Sequence, residues 1–110
     1  MLQAAIHADE EAARLMRLRS LAVLDTEPEA IFEQITRLAA DLCGVPIALI
    51  SLVDEHRQWF KSNIGLPGVH ETPRELAFCS HAILSDSLME VPDALLDPRF
   101  VRNPLVTGAP

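Results

Sequence analysis

The apolar positions of the first forty residues fall at helical spacing. Leu15, Leu18 and Ala22 recur at steps of three and four, the period of one helix face. Asp9, Glu10 and Glu11 precede Arg14, Arg17 and Arg19, an order that suits the helix dipole. A helix starting at Asp9 is predicted. Its narrow apolar stripe packs either on its own domain or on another helix across a dimer or domain contact. A second helix is predicted where Ile31, Ile35, Leu38 and Leu42 share one face. Thr26 is placed as its N-cap, with Pro28 in the first turn and Glu29 completing a capping box. Gly44 stands where a left-handed C-cap belongs.

The pattern then changes period. Pro46 to Val53 is short, apolar and rich in branched residues, which predicts a buried central strand. Asp54 to Arg57 is a polar turn. Gln58 to Asn63 predicts an antiparallel partner, with Trp59 and Lys61 on one face and Phe60 and Ser62 on the other. Gly65 to Pro73 holds two glycines and two prolines and is expected to be a loop. A short helix is predicted over Phe78–Leu84, a third strand over Leu88–Val91, and a helical turn at Asp97-Pro98-Arg99-Phe100 with Asp97 as its cap. Pro28 is the one proline before Gly44, whereas all four glycines and the other seven prolines fall from Gly44 onward. The result is a helical first part and a turn-rich second part with strands.

Composition narrows the function. The 110 residues suit one domain. With 9 Lys and Arg against 16 Asp and Glu, the net charge is -7, a field that repels phosphate backbones and anionic lipid. Nucleic acid is therefore not an expected partner. The longest nearly apolar run, Val45 to Val53, falls far short of the roughly 20 residues of a membrane span. No secretory signal opens the chain, and two cysteines are too few for a disulfide scaffold. The expected compartment is the cytoplasm, without membrane insertion.

Candidate chemistry centres on Cys79-Ser80-His81. A thiolate beside a histidine is the basis of cysteine nucleophiles, but residues two apart diverge on a helix. A small buried cysteine beside a hydrogen-bonded histidine is the simpler reading. His7, His56, His70 and His81 are scattered, and one Cys-x-His pair supplies at most two ligands, so no metal site is predicted. No catalytic residue is assigned. Trp59, Phe60, Phe78 and Phe100 either complete the core or line a pocket. His81, Asp93 and Arg99 would supply that pocket's polar groups. Asp93 and Arg99 have an alternative structural role, pairing with each other or with the backbone.

Four stretches in order, LAVLDTEPEAIFEQITRLAADLCGVPIALISLVD, RQWFKSNIGL, ETPRELAFCSHAI and VPDALLDPRFVRNPLVTG, resemble GAF domains. The similarity is to the bacterial type found near the N-terminus of sensor histidine kinases and diguanylate-cyclase-like proteins. The resemblance implies an α+β, profilin-like antiparallel sheet with helices on one face and a ligand pocket on the other. It implies a sensory module rather than an enzyme, binding a small-molecule effector or relaying a conformational change to an output domain of a two-component or related system. Residues 1–22 would be a lead-in helix able to form a homodimer through residues 9–22, and residues 23–110 a partial GAF domain. Relatives bind cyclic nucleotides, tetrapyrroles, haem or small metabolites, and no single cofactor follows for this chain.

Carried over residue by residue, the pocket candidates are Trp59, Phe78, Cys79, His81, Asp93, Arg99, Phe100 and Asn103. Cys79 lies in the region where pigment-binding relatives attach their chromophore, but Ser80 stands where they carry histidine. The family continues beyond a stretch like NPLVTGAP with further strands and a closing helix. The expectation is accordingly a truncated domain whose sheet has unpaired edges. Two alternatives stand beside the sensory reading. One is a thiol-dependent redox enzyme centred on Cys79, and the other is a purely structural dimerisation module resting on Leu15 and Leu18.

Overall fold

The computed structural model describes residues 7–108. Residues 1–6 of the predicted lead-in segment and residues 109 and 110 lie outside the described residues. The acidic start and basic end of the first segment produce α1 (Ala8–Ser20), whose backbone begins at His7, where the ring Nδ1 accepts from the Asp9 amide. Leu15 and Leu18 are its buried residues. They face the body of the domain, whereas Ala22, the third residue of the predicted stripe, lies beyond the helix at φ 52° and is exposed. The outer face carries Ala12, Ala13 and Met16 instead.

α2 (Ala30–Cys43) ends on Gly44 with φ 61°, the left-handed cap the sequence predicts. Its start differs from the prediction. Glu29 is the N-cap residue and makes no side-chain cap hydrogen bond. Thr26 is engaged elsewhere: its hydroxyl donates to the Val23 carbonyl and accepts from Lys61 Nζ at 2.7 Å. Pro28 disfavours helical geometry at Glu27, which keeps this stretch extended and delays the helix to residue 30.

The face α2 buries also differs. Thr36 and Ala40 are its buried residues, and small side chains allow close approach to the sheet. Ile31, Ile35, Leu38 and Leu42 lie roughly 150° round the helix at 100° per residue, and all four are exposed, Leu42 at 78%.

The sheet is antiparallel with order β1-β2-β3, formed by β1 (Ala48–Val53), β2 (Arg57–Ile64) and β3 (Glu71–Pro73). β2 is the central strand and carries the burial, while β1 is a half-buried edge. β3 arises inside the predicted loop, and Leu88–Val91 forms no strand. The three residues of β3 pair with Arg57, Gln58 and Trp59 of β2, a strand too short to show against the glycine and proline density of residues 65–73. A bulge shifts the β1–β2 register between Ile50 and Ser51, pairing Ile50 with Ser62 and Ser51 with Phe60. Lys61 is the extra residue.

The bulge overturns the predicted alternation. Ser62 Oγ accepts from Thr36 of α2, whereas Ser51, opposite Phe60, contacts the other face. Phe60 and Ser62 therefore point to opposite sides, as a bulge permits. Two short helices follow, α3 (Cys79–Ala82) and α4 (Pro104–Thr107), after a 3₁₀ turn at Arg74–Leu76. α3 covers the face opposite α2. Among the described residues no helix is long and apolar enough to cross a membrane.

Candidate functional site

The candidate site is built where α3 meets the Asp97–Asn103 segment. Asp97 caps that segment as its sequence predicts: its Oδ1 accepts from the Arg99 amide at 2.9 Å, and its carbonyl accepts from Phe100 and Val101. This turn drives Phe100 inward to 1% exposure. Phe78 stacks on it, with ring centroids 3.9 Å apart and planes inclined by 7°. His81 meets the same ring edge-on at 5.0 Å, and the Arg99 guanidinium lies 5.0 Å from its centroid. One phenyl ring thus gathers an aromatic ring, an imidazole and a cation.

The polar groups around the cluster are committed to partners. Arg99 forms a bidentate pair with Asp97, Nη2 to Oδ2 at 2.8 Å and Nε to Oδ1 at 3.1 Å, and touches Met89 Sδ at 3.6 Å. Asn103 caps α4 by accepting from the Leu105 amide and donates to the Leu76 carbonyl at 2.7 Å. Cys79 Sγ lies 3.2 Å from Ser51 Oγ, so its nearest polar partner is a serine on β1 and its neighbour His81 engages Phe100. Burial lowers the His81 pKa, and the Arg99 charge lowers it further against a smaller opposing effect of Asp97. The imidazole is therefore neutral near pH 7. Both cysteines are free thiols.

Four of the eight predicted pocket residues thus meet here, Phe78, His81, Arg99 and Phe100, while Cys79 and Asn103 stand nearby in the chain with Ser51, Leu76 and Leu105 as partners. Trp59 does not join them. It pairs with Leu52, one residue along from Ser51, so the pleat sends it to the face away from α3. Asp93 also stands apart, its carboxylate accepting from the Leu95 amide at 3.0 Å. This is backbone capping, one of its two predicted structural roles, while the partner of Arg99 is Asp97 rather than Asp93. Sequence reasoning missed Ser51 and Asp97 as members of the cluster. Both left a signal, since Ser51 is the polar interruption of an apolar strand and Asp97 precedes proline.

The polar groups of the cluster are held in capping hydrogen bonds and one ion pair. For a tetrapyrrole thioether the residues do not fit: the Cys79 thiol turns to Ser51, and stacked rings fill the centre. Among the described residues no group of three or more His, Cys, Asp or Glu is placed to hold a metal ion. Grooves lie elsewhere, one along α2 at Arg37 and Ile64 and one beside β2 at Lys61 and His70. Phe78 remains half-exposed, so a ligand reaching Phe100 has to displace a neighbouring ring.

An antiparallel sheet with α2 on one face and a ring-lined cluster under α3 on the other describes an α+β domain. Residues 27–110 match the GAF domain family, and the chain belongs to that family. It is also 42% identical, over 104 residues, to a cyclic di-GMP phosphodiesterase of Pseudomonas aeruginosa. The match covers 94% of this chain and 18% of that protein, so the chain spans about a fifth of its relative's length.

Proposed function

We propose that the chain is a sensory and regulatory GAF module of a bacterial signal-transduction protein, cytoplasmic and itself noncatalytic. It takes a small effector at the α3–Phe100 cluster and relays the change to an output domain of the longer protein. The observation that carries this reading is the 42% identity to a segment of a cyclic di-GMP phosphodiesterase, an enzyme of which the matched segment is a minor part. That relative favours cyclic di-GMP turnover as the output over the histidine kinase that the sequence resemblance implies. A planar unsaturated effector suits the cluster, because it could replace Phe78 against Phe100 with Arg99 beside it. The mechanism is a population shift between closed and ligand-opened states of α3. A homodimer through α1, if formed, would use Ala12, Ala13 and Met16, since Leu15 and Leu18 are buried in the domain.

The test places this chain in the phosphodiesterase in exchange for its matching segment. Hydrolysis of cyclic di-GMP is then compared among the chimera, the chimera carrying Phe78→Ala or His81→Ala, and the enzyme lacking the segment. The expected result is a rate that depends on the segment and shifts with either substitution. One common rate for all four proteins would sink the regulatory reading.

A further inference from the structure

The α3 cluster is tied to α1 through a single carboxylate. Glu11, in the first turn of α1, is approached by two arginines: Arg14 Nε donates to Oε1 at 2.7 Å, and Arg74 Nη2 lies 2.7 Å from Oε2. All three side chains are largely covered, at 19%, 23% and 17% exposure for Glu11, Arg14 and Arg74. Arg14 also donates to the Val53 carbonyl at the end of β1. The other α1 ion pair, Arg19 with Glu55, is more than half exposed on both sides. Screening leaves an exposed pair of that kind little strength, so Glu11 is the firmer polar tie of α1 to the body of the domain.

Arg74 is also the first residue of the segment that leads into the cluster. Its guanidinium donates to the Asp54 and Glu55 carbonyls at 3.2 Å, and its amide donates to the His56 carbonyl at 3.1 Å. Its own carbonyl accepts from Ser80 Oγ of α3 at 2.5 Å and from the Ala77 amide at 3.1 Å. Ser80 is 3% exposed and lies between Cys79 and His81. A movement of α3 that separates Phe78 from Phe100 therefore pulls on the Arg74 peptide, and the Arg74 side chain holds Glu11. Ser80, Arg74 and Glu11 form an unbroken path from the ring cluster to α1.

We propose that Glu11, Arg74 and Ser80 form a link that couples opening of the α3 cluster to release of α1 from the sheet. This inference rests on the sensory reading for its purpose, but the link is measurable with no effector present. Coupling of this kind is reciprocal, so loosening either end loosens the other. A path of contacts becomes evidence only when a perturbation at one end is felt at the other.

The experiment is amide hydrogen exchange, read by mass spectrometry, on the whole chain and its variants. Glu11→Gln should speed exchange of α1 and also, by about threefold or more, of the Ser80–Ile83 amides. Arg19→Gln, which cuts the weak exposed tie, should leave Ser80–Ile83 at the wild-type rate. Ser80→Ala should speed α1, and adding it to Glu11→Gln should speed α1 no further. The link is overturned if Glu11→Gln loosens α1 alone, or if Arg19→Gln loosens Ser80–Ile83 equally. Should Ser80→Ala not fold, the two α1 variants still decide. A coupled chain in an unresponsive phosphodiesterase chimera would keep the link and remove the sensory role. An uncoupled chain in a responsive chimera would keep the role and route its signal elsewhere.

Discussion

His81 and the arginine-bound carboxylates respond to acid in separate windows, and the signs follow from their surroundings. Burial first, then the Arg99 charge, holds His81 below its ordinary value despite Asp97. The unfolded chain therefore binds the His81 proton more readily, and stability falls as the pH drops through the unfolded value. Burial pushes Glu11 and Asp54 up. Hydrogen bonds and charges outweigh it, from Arg74 and Arg14 at Glu11, and from the Glu55 amide and Arg57 at Asp54. Their contribution is complete above the ordinary carboxylate range and is lost as the pH falls through the lowered folded values. The thermal midpoint should thus decline in two stages, the first beginning near pH ~6.5 and the second below about pH 4.5. His81→Gln should flatten the first stage and spare the second. A His81→Gln curve that tracks the wild type from pH 7 to pH 5 would show that the imidazole does not sit in the packed cluster described.

Two glycines that end elements separate conformational strain from steric strain. Gly44 closes α2 at φ +61° with open space where a Cβ would be, so Gly44→Ala should cost about 1 kcal/mol. Gly65 follows β2 at φ +96°, and a Cβ there would stand 2.2 Å from the Pro46 carbonyl oxygen and 3.0 Å from Ile47 Cγ1. The backbone entering β1 would have to move, so Gly65→Ala should cost about 2–4 kcal/mol. Urea midpoints at unchanged slope read both costs, and equal losses would contradict the close approach at Gly65. Gly44 was legible in the sequence because a helix end is a local matter of spacing and cap. The first three helices, the first two strands and the Asp97 turn were legible from equally local patterns, whereas α4 (Pro104–Thr107) was not. The rest depended on tertiary partners. Thr26 reads as a helix cap until Lys61, brought over by the sheet, claims its hydroxyl at 2.7 Å. Lys61 is 4% exposed, and its ammonium also meets the Glu27 carbonyl at 2.6 Å and the Glu29 carboxylate at 2.8 Å. A lysine in an apparently alternating strand gives no sign that a bulge will bury it among acceptors from the α1–α2 connection. The cluster residues of α3 were legible as a local group, whereas the separation of Trp59 from them follows from sheet register.

At the scale of the whole molecule, the surface does not close over its apolar side chains. The accessible area is 7494 Å², against about 6000 Å² for a folded monomer of this mass. The radius of gyration, 14.4 Å, also exceeds the roughly 13 Å of a compact chain of this length. Part of the excess is the stripe of Ile31, Ile35, Leu38 and Leu42, exposed by 50% to 78%. On the sheet, β1 has one hydrogen-bonded neighbour among the described residues, β2, so it is an edge strand there. An exposed apolar stripe and a sheet edge each favour self-association. The 110-residue chain expressed alone should therefore show an apparent mass that rises with concentration in light scattering. Leu38→Lys with Leu42→Lys should restore the monomer. Those side chains contribute little burial to the fold, so the thermal midpoint should move by no more than the small shift expected of surface changes, about 0.5 kcal/mol each. Substituting Leu15 and Leu18 by lysine should have the opposite profile, unfolding the chain before altering its association, because both are buried against the domain. A wild-type chain that stays monomeric at high concentration would mean that the α2 stripe is covered by some rearrangement of the fold itself.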